Sequence, residues 1–127
     1  MQRLFALSAI FFSLCLLHST FAQRLVKVTL NETDPYLVKP LQVSLSPGDT
    51  LMFTTTKGDF AINILEASKF LEIEETDLKV EVNKSNPNSP KYLVKRISDI
   101  IDQPYSVFCI TKRVWPLAPP RIIVAIE

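Results

Sequence analysis

From residue 24 onward, apolar residues recur at every second position in short runs, and nowhere at the spacing of a long helix. Val26, Val28 and Leu30 alternate with Lys27 and Thr29, and Leu41, Val43 and Leu45 alternate with Gln42 and Ser44. Leu51 and Phe53, then Phe60, Ile62 and Ile64, then Leu78, Val80 and Val82 repeat the pattern. A period of two turns one side of each segment toward a core and the other toward water, as a half-buried strand requires. The runs stop at Asn31-Glu32-Thr33-Asp34-Pro35, Ser46-Pro47-Gly48-Asp49, Lys57-Gly58-Asp59 and the polar stretch 84–90. Proline presets φ in such turns and glycine reaches positive φ without strain.

Further strands are expected over 91–97, on an edge, over 105–110, and over 121–126, with 98–104 as a turn between two of them. Segment 66–77 fits either a short helix lined by Ala67, Phe70, Leu71 and Ile73 or an irregular connection lying over the core. About seven or eight short strands without a domain-building helix predict an all-β fold, an antiparallel Greek-key β-sandwich. Phe53, Ile64, Val80, Val107 and Val124 are expected between its two sheets.

The first 22 residues read differently. Arg3 precedes an apolar stretch from Leu4 to Leu17, and Thr20-Phe21-Ala22 places small residues at the −3 and −1 positions of a cleavage site. This is the pattern of a secretory signal peptide. Cleavage after Ala22 would leave one domain, 23–127, in the periplasm or secreted. The apolar core is short for a membrane span, and no later segment is apolar enough, so no stable span is expected after signal removal.

Composition then excludes several functions. Of 14 basic residues Arg3 leaves with the signal, and the rest balance the 13 acidic ones. Such a chain has no bulk field to recruit nucleic acid or an anionic membrane. Cys15 and His18 also lie in the signal, so Cys109 stands alone and the mature chain has no histidine. The commonest general base and metal ligand is therefore missing. Two glycines leave little material for a phosphate-cradling loop. No catalytic residue, metal or cofactor is expected. Asn31-Glu32-Thr33 and Asn83-Lys84-Ser85 match the N-glycosylation sequon, a pattern short enough to occur often by chance.

Three stretches together resemble the cupredoxins. Val43-Ser44-Leu45-Ser46-Pro47-Gly48-Asp49-Thr50-Leu51-Met52-Phe53 is similar to their Pro-Gly-Asp turn and following strand. Phe60-Ala61-Ile62-Asn63-Ile64-Leu65 falls where they carry a His-Asn strand, and Tyr105-Ser106-Val107-Phe108-Cys109 where they carry the thiolate ligand. The resemblance implies a cupredoxin-like fold whose copper-ligand histidines are absent. Ile62 stands at the first histidine position, Lys112 at the second, and Leu117 near the axial methionine. A blue-copper centre needs two imidazoles with the thiolate, so the resemblance extends to the fold and not to the metal.

Two readings of the Cys109 end remain. Cys109 is either a small buried hydrophobe or a redox thiol made more acidic by Lys112 and Arg113. Trp115 is either a lid on the core or an exposed anchor in a proline-restrained loop, with Lys112, Arg113 and Leu117 around it. The combinations differ in consequence. A buried thiol and an exposed tryptophan describe an exported, non-enzymatic binding or structural module that meets another exported protein through loop 112–120. An exposed thiol describes a thiol-based redox or metal-handling protein.

Overall fold

The structure is a computed structural model that describes residues 23–126; the expected signal segment, 1–22, lies outside the described residues. In chain order the strands are β1 (Leu25–Asn31), β2 (Val38–Lys39), β3 (Gln42–Leu45), β4 (Thr50–Lys57), β5 (Phe60–Ile64), β6 (Leu78–Val82), β7 (Tyr92–Leu93), β8 (Ile101–Pro104), β9 (Ser106–Cys109) and β10 (Arg121–Val124). They form three small sheets, ordered β2-β1-β4-β7, β3-β10-β8 and β6-β5-β9. All three face one hydrophobic core.

The alternation read from the sequence is what fills that core. Val28 and Leu30, Val43 and Leu45, Phe60, Ile62 and Ile64, and Val107 and Cys109 all turn inward. Phe53, Ile64, Val107 and Val124 are fully buried as expected. Val80 is not: it is only partly buried and packs against the core from β6, an edge strand with no neighbour on one side. Phe53 meets the Tyr105 ring edge-on, at 5.9 Å between centroids and 61° between planes, a favoured arrangement for two π systems. The Tyr105 hydroxyl is buried without a hydrogen-bond partner, and burial holds its pKa well above the ordinary phenol value.

Two pairings depart from a wholly antiparallel sandwich. β1 runs parallel to β4, from Leu25 opposite Thr50 to Thr29 opposite Thr54. β10 runs parallel to β3, from Arg121 opposite Gln42 to Val124 opposite Leu45. A parallel pair needs a long connection that leaves the sheet and returns, and 32–49 supplies one by passing through β3 in a different sheet. Alternation marks a strand's faces but not its direction, so the sequence could not separate the two cases.

At two of its sheet changes the crossing is a short proline-marked corner. β2 and β3 are separated by Pro40-Leu41, and β8 and β9 by Tyr105 alone, directly after Pro104. Residues 101–104, expected as a turn, are thus a strand, paired antiparallel with β10 on the sheet edge. Proline has no N–H to give a ladder and is tolerated on such an edge. The strand expected over 91–97 is ordered as a ladder only at β7, which pairs with Thr50 and Leu51. Beyond it the polar stretch 84–90 covers the β4 edge: Ser89 Oγ accepts from Phe53 N at 2.8 Å, and Thr55 N donates to Pro87 O. Covering the edge removes a row of open backbone groups. Segment 66–77 combines both expectations, with one 3-10 turn at Ala67–Lys69 and then an irregular path that buries Phe70 and Leu71.

The turn before β4 is fixed chemically. Gly48 has φ of 91° and Asp49 N donates to Ser46 O at 3.0 Å, a type II geometry that favours glycine. Asp49 then turns its carboxylate back, accepting from Ser46 N at 2.9 Å and from Arg24 Nη2 at 2.8 Å.

Candidate functional site

β9 delivers Cys109 to the end of the domain with its side chain inward. Its cross-strand neighbour is Phe60, and Ile62 lies two pairs further along on the same face, opposite Val107. The thiol is fully buried. A cysteine reacts as the thiolate, and only where solvent and a partner can reach it. Both apolar neighbours and the seal from water therefore describe a core residue.

Directly after Cys109 the chain makes a tight turn. Cys109 N donates to Val114 O at 3.0 Å and Val114 N donates back to Cys109 O at 3.3 Å. Residues 110–113 are squeezed between these two bonds, and Arg113 takes a positive φ of 55°. The turn holds Lys112 and Arg113 at its tip, both exposed. Neither makes a salt bridge within 4.0 Å among the described residues, whereas Arg121 is engaged by Asp102 across β8 and β10 at 2.8 Å.

Val114 leads to Trp115, which does not cover the core. It is 64% exposed and leans on the outer side of Phe108, at 4.7 Å between ring centroids and 49° between planes. Two residues on, Leu117 is 74% exposed, while its N–H donates to Pro35 O at 3.1 Å. That bond ties loop 112–120 to the loop carrying Tyr36, itself 43% exposed. Pro116, Pro119 and Pro120 restrict the backbone between these anchors. The loop is therefore an apolar ridge of Val114, Trp115 and Leu117 on a braced backbone, with cations at one end. Of these supports, Phe108 was readable only as an outward residue of its strand, and the tie to Pro35 had no local signal at all.

The donor set for copper does not fit. Residues 23–126 contain no histidine. Phe60 stands opposite Cys109 and Ile62 opposite Val107, and Lys112 and Leu117 are exposed. Among the described residues no three His, Cys, Asp or Glu groups come together in a way that could hold a metal ion. No described helix is long and apolar enough to cross a membrane.

The described residues thus form an all-β arrangement of three small sheets with a braced loop after Cys109 and no histidine. No protein-family model and no curated protein matches the sequence. Among solved structures the chain is similar to the reduced Cu(I) form of a proline-to-glycine mutant of amicyanin. That likeness has 14% identity over 79% of this chain and 81% of that one, with a TM-score of 0.48.

Proposed function

We propose that this chain is an exported, non-enzymatic binding module, a copper-free Greek-key cupredoxin-like domain that meets another exported protein through loop 112–120. The observation that carries the reading is the exposed Trp115, braced on Phe108 beside Leu117 on a backbone already restrained by proline and by the bond to Pro35. Aromatic anchors of this kind contribute disproportionately to association, and a stiff loop loses little entropy on docking. The sealed thiol speaks against the redox alternative. Balanced charge supports a protein partner over nucleic acid, and the residue pattern of 1–22 supports export to the periplasm or beyond.

Leu117→Asp tests the reading without touching the core, because Leu117 stands clear of it. The mature protein, immobilised and exposed to the exported proteins of its own cell, is expected to retain a partner that Leu117→Asp loses at least tenfold. The variant's thermal midpoint should stay at the wild-type value. Retention unchanged by both Leu117→Asp and Trp115→Ala would overturn the assignment of the loop.

A further inference from the structure

The outer face of the β6-β5-β9 sheet carries a groove that the protein-binding loop does not account for. Register builds it from two cross-strand rows. Glu81, Ala61 and Phe108 form the first, and Lys79, Asn63 and Ser106 the second. In the first row a methyl group stands between two long side chains, so the sheet surface sinks along β5. Trp115 overhangs Phe108 and raises that wall further. The result is an open groove of about 440 Å³, within the range of about 300–1,000 Å³ typical of small-ligand sites.

Its chemistry is divided lengthwise. One wall is a pair of aromatic rings. The other presents one carboxylate and one ammonium, the floor adds the Asn63 amide, and Ser106 adds a hydroxyl beside the aromatic wall. The Asn63 amide is incompletely satisfied: its Oδ1 is buried and has no hydrogen-bond partner. A buried acceptor left unpaired is unfavourable. Asparagine χ2 is a soft torsion, so the amide can turn to an incoming donor at small cost.

These features select among ligands. A single Lys79 beside Glu81 on the same wall gives no net field, so neither an anion nor a cation is favoured. β5 is hydrogen-bonded on both sides, to β6 and to β9, so an extended peptide finds no free ladder on the floor. What fits is a neutral ring with one apolar face and a rim of hydroxyls. Its C–H groups are positively polarised and match the negative face of an aromatic ring, while its hydroxyls both donate and accept. The geometry points to a binding site for a short neutral oligosaccharide, stacked on Trp115 and Phe108 and hydrogen-bonded by Asn63, Glu81, Lys79 and Ser106. This site stands apart from the protein-binding reading and shares only Trp115 with it.

The test uses the mature protein and three neutral trisaccharides, cellotriose, chitotriose and maltotriose, as probes. At least one is expected to change the emission of the single tryptophan saturably and to show ring-proton saturation transfer in NMR. Ala61→Leu fills the trough from the solvent side and should weaken binding at least tenfold. Glu81→Gln keeps the shape, removes the charge, and should weaken it severalfold, which guards against a folding defect in the first variant. Leu117→Asp should leave saccharide affinity unchanged, so failure of the groove and failure of the loop are read separately. No saturable binding by any of the three sugars, or binding indifferent to Ala61→Leu and Glu81→Gln, overturns the site. A response confined to acidic sugars or to a peptide does so equally.

Discussion

Phe53→Ala is expected to lose about 3–5 kcal/mol of stability, the usual cost of emptying a large aromatic site in a packed core. Phe53 is fully buried in the central part of β4 and makes the edge-on contact with Tyr105. Its backbone is pinned along the strand edge that meets Ser89, with Ser89 Oγ accepting from its N–H and Ser89 N donating to its carbonyl, both at 2.8 Å. Those bonds resist the collapse that would close the void. Since a domain of this size has only about 5–15 kcal/mol in total, the variant should sit near its unfolding threshold at 37 °C. Urea denaturation against Lys27→Ala, an exposed residue on β1, measures the difference. Equal midpoints for the two would mean that the inner face of β4 is misassigned.

Asp49→Ala is expected to cost about 1–3 kcal/mol, as for a buried hydrogen-bonding group whose partners are left behind. Asp49 is 5% exposed and joins the Pro47-Gly48 turn to the start of β1 through Ser46 N and Arg24. Burial pushes its carboxyl up, but the hydrogen bonds from Arg24 and the backbone amides outweigh burial and leave it below the ordinary carboxylate range. The sign of the pH effect follows. A carboxyl more acidic in the folded than in the unfolded chain stabilises fully above the unfolded value of about 4. That contribution is lost as pH falls through the lower folded value. The gap in thermal midpoint between wild type and Asp49→Ala should therefore be widest near neutrality and shrink toward pH 2. A gap independent of pH would show that the carboxylate's charge contributes nothing to the turn.

The strands were legible because their faces are written in a period of two, as in Phe60, Ile62 and Ile64. The Pro47-Gly48-Asp49 turn was legible because only glycine takes its backbone easily. Direction and partnership were not. The parallel pairing of β1 with β4 depends on where 32–49 travels in space, and no residue of β1 records it. β8 was hidden because Asp102, Gln103 and Pro104 lack the composition of a strand, and it forms by lying against β10 on a sheet edge. Val80 has the right spacing for a core residue, yet its strand ends the sheet, so one side of it stays open. At the candidate site, the sequence showed that Cys109 had no histidines to work with. It left open whether Trp115 turned in or out, because that depends on Phe108 offering a surface on the outside of the sheet. The groove along Ala61 and Asn63 was invisible for a similar reason: a small residue makes a trough only when its cross-strand neighbours are tall.

If the protein works through its surface and not through its thiol, as proposed, Cys109 should resist alkylation in the folded state. Iodoacetamide is added to the native mature protein near pH 8, with a parallel sample in guanidinium chloride, and intact mass is followed over time. One adduct within minutes is expected in the denatured sample and an essentially unlabelled native protein over hours, because Cys109 is fully buried, opposite Phe60 and before the turn that closes on Val114. Labelling of the native protein at the rate of a free thiol would contradict the account and return the function to the chemistry of Cys109.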